Sequence, residues 1–291
     1  MSSSRLRVAL GVVFAVGAAG AIAFVVVAAK TQEAQPARCA PGMIPLGPRC
    51  CGEGQRLEGG SCRGAPTRCA SNLLVTGDGC RAEPRVVEIA GGTLRVGPGD
   101  WEAQGVVTPR VVEVAAFAID AFEVTEARYA ACVEERACAA VKLSGEPGRA
   151  VAGVTFAEAV SFCQFSRGRV PSSDELAFAS ASAKGRRYPW GDTGAVCRRA
   201  AWGLADGPCG WRAEGPEIAG SHPDGASPEG VFDLAGNVAE WSMGEGGKPE
   251  TRGGSYADSA ANALRSWQRH ARAADDRSPT VGIRCVYSAG P

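Results

Sequence analysis

Histidine is almost missing from this 291-residue chain, which holds His222 and His270 and no other. No site built on three imidazoles can form. An excess of either charge is missing too: 31 basic and 31 acidic residues cancel, which argues against a general nucleic-acid binder, since these carry a basic surplus. Charged and polar side chains are absent from Val8 to Ala29. Between Gly185 and Gly254 there is little hydrophobic periodicity, so long helices are excluded there. What is present is a 45% hydrophobic fraction. That is enough to rule out a wholly disordered chain, and the length suits one or two domains.

The uncharged stretch Val8–Ala29 follows Arg5 and Arg7. As a helix it would be about 33 Å long at 1.5 Å per residue, the thickness of a bilayer core. Residues 1–30 therefore read as a signal anchor or transmembrane helix. The basic residues before it place the N-terminus in the cytoplasm, and everything after Lys30 in the periplasm or cell exterior. Val27-Ala28-Ala29 also offers a cleavage site, which would make the protein secreted. Residues 31–38 are a polar tether.

The remainder of the chain contains twelve cysteines. Six of them build three C-x10-C units over residues 39–80, each with an apolar centre (Ile44, Leu57, Leu73). So short a repeat buries little apolar surface, and disulfides formed in an oxidising compartment would hold it. Six cysteines allow 15 pairings, of which pairing within each unit is the simplest. Zinc is the rival reading, but histidine and C-x2-C ligand pairs are both missing. Among the other six, Cys132–Cys138 and Cys197–Cys209 are local pairs. Cys163 and Cys285 would then remain as a long-range staple.

The coarse pattern is mixed. Val86–Val96 reads as two strands around Gly91-Gly92, and Arg110–Ile119 as another. Thr125 caps a helix running to about Glu135. Thr155 and Glu158 form a capping box ahead of an apolar face at Phe156, Ala159, Val160 and Cys163, ended by Gly168. Ser172 and Glu175 start a third helix, ended by Gly185. Strands return at Thr251–Tyr256 and Val281–Tyr287.

Residues 86–288 resemble the formylglycine-generating enzyme (sulfatase-modifying factor) family. The segments that carry the resemblance stand in the family's order. They are IAGGTLRVG at Ile89, FAIDAFEVTEARY at Phe117, VAGVTFAEAVSFCQFSRGRVPSSDELAFAS at Val151, YPWGD at Tyr188, GVFDLAGNVAEW at Gly230, RGGSY at Arg252 and VGIRCV at Val281. The resemblance implies an α+β, C-type-lectin-like fold, loop-rich and disulfide-stapled, here preceded by a transmembrane helix and the small Cys-rich repeat module. It also implies the Cys163–Cys285 bond.

The family's oxidase converts a substrate cysteine to formylglycine with a copper-binding cysteine pair shortly after RGGS. Soft thiolates suit copper(I). Here no cysteine lies between Ser255 and Cys285, and the two positions fall on Asp258 and Ala263, or on Tyr256 and Ala261 if counted from the C-terminal motif. No copper is expected. Relatives with a non-haem iron site need several histidines, which this chain lacks. Structural calcium is the metal the resemblance implies, held by Asn237, the Val238 carbonyl and Glu240. The segment lining the family's groove supplies Ser255, Arg265, Trp267 and Arg269 as ligand-binding residues, while Trp267 could equally be core. Asp258 and His270 are the groove's candidates for acid–base work. Arg252 and Arg284 are expected to pair with buried carboxylates or carbonyls.

The reading is a membrane-anchored, extracytoplasmic binding or scaffold protein without catalysis, taking a protein, peptide or glycan ligand and no nucleic acid. The alternative is a cell-envelope modifying enzyme of the same family with other chemistry.

Overall fold

A computed structural model describes residues 39–97 and 108–290. The expected membrane span lies outside these residues; among those described, no helix is long and apolar enough to cross a bilayer.

The described chain begins with three antiparallel hairpins. They are β1–β2 (Met43–Leu46, Arg49–Gly52), β3–β4 (Arg56–Glu58, Ser61–Arg63) and β5–β6 (Leu74–Thr76, Gly79–Arg81). Each lies in one C-x10-C unit closed by its own bond: Cys39–Cys50, Cys51–Cys62 and Cys69–Cys80. The simplest pairing is the one formed. The hairpins share their core with the C-terminal part of the chain. Ala40, Met43, Cys50, Leu73 and Cys80 belong to one hydrophobic cluster with Ile89, Phe117, Ile119 and Ile218. Arg49, at 1% exposure, ion-pairs with buried Glu146 at 3.1 Å, and Asn72 donates to the Gly220 carbonyl at 2.8 Å.

A long ribbon comes next. β7 (Val86–Ile89) and β8 (Gly92–Val96) run against β9 (Arg110–Val114) and β10 (Phe117–Asp120). The sequence suggested one strand over Arg110–Ile119, but the structure breaks it at Ala115-Ala116. The register is the same on both sides, Ile89 facing Phe117 and Gly92 facing Val114. The break coincides with Gly91, whose φ is +72°, and a Cβ there would lie 2.4 Å from the Val114 carbonyl. The ribbon bends at this point because only glycine permits both the backbone angle and the close approach.

The three expected helices form with the expected caps. α1 is Glu126–Glu134, with Thr125 accepting from the Arg128 amide; α2 is Phe156–Phe165 and α3 is Ser173–Ala181, each behind a complete capping box. α2 stops three residues before Gly168, and α3 four before Gly185. After them stand the small hairpin β11–β12 (Asp206–Gly207, Gly210–Trp211), then β13 (Ala239–Met243), β14 (Pro249–Arg252), β15 (Arg269–Ala271), β16 (Val281–Gly282) and β17 (Val286–Ser288). The order in the larger sheet is β15-β14-β13-β16, with β13 and β16 parallel, and a second sheet is ordered β17-β10-β7. The expected strand Val281–Tyr287 is thus split between two sheets. Ile283, Arg284 and Cys285 cross between them, all at most 1% exposed.

Cys132–Cys138, Cys197–Cys209 and Cys163–Cys285 complete the disulfides, and no cysteine is free. The last bond sits inside a core of α1, α2, β13 and β16 side chains with Tyr129, Phe162 and Trp241.

Candidate functional site

α3 packs against β8, β9, β13 and β14, joining the ribbon to the four-stranded sheet. Two clefts open along this joint. The first, about 810 Å³, lies between β8–β9, the C-terminal half of α3 and residues 183–187. The second, about 710 Å³, lies between the N-terminal end of α3, Met243–Glu245 and residues 267–269. Val96, Arg110 and Trp267 line both, so the clefts are two lobes of one groove with the indole of Trp267 between them.

The polar side chains of the second lobe are held by one another. Arg110 grips Asp174 through both guanidinium nitrogens. This hydrogen bond, stronger than the burial opposing it, holds the Asp174 carboxyl below its ordinary value and raises Arg110. Arg252 reaches up from β14, donating to Ser173 Oγ at 2.5 Å and to the carbonyls of Ser266 and Gln268. Ser173 in turn donates to Glu250. Burial lowers Arg252 to about 10, with Glu250 pulling the other way. Ser173 and Asp174 lie in a segment that carries the resemblance, which gives them no role, and nothing in the sequence singles out Glu250 or Arg110. Arg252 is the buried structural arginine that the sequence suggests.

The six sequence candidates for the groove separate. Trp267 is half-buried and lines both lobes; Arg269 lines the second and donates to Glu250 at 3.4 Å. Ser255 is buried and gives both its amide and its hydroxyl to Asp258 Oδ2, at 2.7 and 2.8 Å. Arg265 is buried with its guanidinium 5.8 Å from the Trp267 ring. Neither Ser255 nor Arg265 lines the two lobes. Asp258 and His270 are not brought together either. Asp258 is spent on Ser255, while His270 sits exposed on β15, its ring 3.3 Å from the Gln268 side chain. Neither lines the groove, so these two do not form the acid–base pair that the enzymatic alternative names.

Behind the groove, GNVAEW closes over a buried polar cluster. Gly236 has φ +92°, and a Cβ there would meet the Ala201 carbonyl at 2.5 Å. Asn237 follows at φ +59°, a conformation asparagine tolerates better than most residues. Its Oδ1 accepts from the Glu217 amide and its Nδ2 donates to Glu123, which also accepts from the Val238 amide. Glu240 is committed to Arg284 at 2.7 Å; Arg284 spends its other nitrogens on the Asp120 and Phe232 carbonyls. Burial, then repulsion from neighbouring carboxylates, pushes Glu123 well above its ordinary value. Asp233 and Glu240 are raised for the same first reason.

Two of the three residues expected to hold calcium, Asn237 and Glu240, therefore do not fit it. Both amide atoms of Asn237 are used internally, and a guanidinium already stands against Glu240. Among the described residues, no three His, Cys, Asp or Glu side chains group so as to hold a metal. EDTA should leave the melting temperature unchanged to within about 1 °C. A rise of several degrees in millimolar calcium, the signature of a ligand that binds only the folded state, would overturn this.

One further pair lies beside the cluster. Glu217 accepts from the Cys50 amide with one oxygen (2.8 Å) and from His222 Nε2 with the other (2.6 Å), and so ties the first hairpin to the domain. Burial drives Glu217 up and His222 down, but their hydrogen bond and attraction override both. Glu217 ends below 4.5 and His222 above 6.5. The imidazolium's contribution is complete below pH 6.5 and is lost as pH rises through its elevated folded value. The carboxylate's is present above 4.5 and lost as pH falls through its depressed one. His222→Gln should therefore cost the most between these limits, about 2 kcal/mol for a charge-assisted hydrogen bond. The gap from wild type should shrink by pH 8.5. Urea unfolding at pH 5.5 and 8.5 measures it, and a pH-independent gap would refute the charged pair.

Residues 74–289 match the family model of the sulfatase-modifying factor enzyme 1-like domain. The chain belongs to this family. The match starts inside the third hairpin unit, ahead of the Val86 boundary expected from motifs. The chain is 31% identical over 154 residues to inactive C-alpha-formylglycine-generating enzyme 2 of Bos taurus (48% of this chain, 50% of the relative). It is 27% identical over 173 residues to the formylglycine-generating enzyme of Streptomyces coelicolor (50% and 55%). It spans about half the length of these curated relatives. Among solved structures, PvdO from Pseudomonas aeruginosa superposes with a TM-score of 0.58 at 20% identity, over 70% of this chain and 94% of that one. This similarity shows the fold alone: a mixed, loop-rich architecture held by disulfides.

Proposed function

We propose that this sulfatase-modifying-factor-like domain is a non-catalytic binding protein, held at the outer side of a membrane by residues 8–29, with the Trp267 groove as its ligand site. One observation carries the reading. The positions of the copper-binding pair hold Asp258 and Ala263, or Tyr256 and Ala261 if counted from the C-terminal motif, and all twelve cysteines are consumed in six disulfides, so no thiolate is available to bind copper(I) or to react with oxygen. The groove persists without that chemistry, with an aromatic ring between its lobes, and indoles placed in this way are frequent anchors in recognition. The resemblance to inactive formylglycine-generating enzyme 2 is in keeping with this. Six disulfides also suit an oxidising compartment.

The test is direct. The full chain, incubated with a cysteine-containing peptide, copper(I) and oxygen, should leave the peptide mass unchanged. Aldehyde formation by the wild-type protein would end the non-catalytic reading. Trp267→Ala, which leaves the disulfides and the buried cluster intact, should abolish ligand retention on a peptide and glycan array. Alkaline extraction should leave the chain in the membrane pellet.

A further inference from the structure

We infer that the first lobe of the groove takes a peptide segment in which carboxylate side chains flank an aliphatic one; this rests on the reading of the groove as a ligand site. The lobe's charge is the first ground. In a chain with no net charge, Arg95, Arg110, Lys184, Arg186 and Arg187 line it against one carboxylate among the described residues, Asp192. Part of this is compensated from outside: Arg110 by Asp174, and Arg186 by Glu229 at 2.9 Å. Asp192 is turned to the Arg187 backbone amide. Arg95 and Lys184 are exposed, and neither has an ion pair among the described residues. Two exposed cations lining one lobe, unpaired among the described residues, favour an anionic occupant. The second lobe differs, because its cations already face Asp174, Glu245 and Glu250.

The floor supplies the second ground. Leu94, Val96, Pro109, Val111, Ala177 and Ala181 line the lobe, and Val111 is 60% exposed. These are aliphatic, shallow surfaces that suit a Leu or Val side chain. A glycan needs many polar side chains to pair its hydroxyls, and this floor has few. Ser266 lines the same lobe with a buried hydroxyl that has no hydrogen-bond partner. The third ground is continuity. Because the two lobes share Val96, Arg110 and Trp267, a linear chain can run past the indole from one into the other, with its acidic part over Arg95 and Lys184.

The experiment uses the full chain in nanodiscs and three probes: fluorescein-labelled Gly-Glu-Leu-Glu-Leu-Glu-Gly, the same peptide with Lys for Glu, and a heparin hexasaccharide. Anisotropy is read at about 50 mM and about 300 mM salt, which brackets the range where screening of exposed charges becomes strong. The acidic peptide should bind at least about tenfold more tightly than the basic one at low salt. R95E/K184E, both exposed, should keep the wild-type circular dichroism and melting temperature yet reverse the preference. Equal affinity for both peptides, no binding of the acidic peptide, or indifference to R95E/K184E would overturn the inference. Binding of the hexasaccharide alone, lost in W267A, would overturn the peptide class and leave the groove reading standing. Binding of any probe that W267A does not alter would count against the groove itself.

Discussion

Arg284→Met should destabilise the protein by at least about 4 kcal/mol, the range for breaking a buried ion pair and stranding its partner. Arg284 is 0% exposed and serves three segments at once: Glu240 on β13, the carbonyl of Asp120 at the end of β10, and the carbonyl of Phe232 in the loop before GNVAEW. It is also the guanidinium set against Glu123, Glu240 and Asp233. Methionine fills much of the same volume but leaves two buried carbonyls without donors, at about 1–3 kcal/mol each. Against a native stability of about 5–15 kcal/mol, the variant should unfold at low urea or fail to accumulate. Arg284→Lys keeps the charge but loses the fork and should fall between the two. Arg284→Met with Glu240→Gln should recover about 1–3 kcal/mol of coupling, since the stranded charge is gone. An Arg284→Met protein within about 1 kcal/mol of wild type would show that the cluster is not held by its arginine.

The second large effect is expected from the long disulfide. Cys163 and Cys285 are separated by 122 residues, Cys132 and Cys138 by six. In the chain-entropy model, removing the first should cost about 5 kcal/mol and the second about 2 kcal/mol, because the longer loop constrains the unfolded chain more. Cys163→Ser/Cys285→Ser and Cys132→Ser/Cys138→Ser, each compared with wild type by urea unfolding, test the ratio. Both bonds are buried in the same core, so the packing lost with each is similar. Equal losses would mean that loop length is not the source of the stabilisation. The long bond joins α2 to the crossing between β16 and β17, immediately after Arg284. The two variants therefore probe the same junction from its covalent and its electrostatic side.

Much of the fold is legible locally. Thr125, Thr155 with Glu158, and Ser172 with Glu175 announce helices because a cap is an interaction between residues three apart. The hairpin units read directly because each closes on itself through its own disulfide. The groove is only partly legible. Trp267 and Arg269 are found from their place after RGGS, but Arg110 on β9, Ser173 and Asp174 on α3 and Glu250 on β14 meet only in the fold. Ser255 and Arg265 belong to the interior and not to the ligand surface, because position after a motif does not reveal which way a side chain packs. Asp258 looks like a free acid in the sequence and proves to be the acceptor of its neighbour Ser255, a contact across three residues that competes with any catalytic use.

Residue identity at fixed short spacings, together with ordered motifs, is enough to establish the family, the helices and their starts, and the absence of a thiol pair, and to suggest the disulfide partners that the folded chain forms. Three features emerge only in the folded chain. Arg110–Ile119 is two strands, because Gly91 lets the ribbon bend. Asn237 and Glu240 are engaged by protein groups, because Glu217, Glu123 and Arg284 converge on them from distant segments. Arg95 and Lys184 come together on one lobe of the groove with no ion pair among the described residues, while Arg110 and Arg186 there are paired with Asp174 and Glu229. Each depends on long-range juxtaposition, where burial removes water and makes the nearest partner decide a side chain's role.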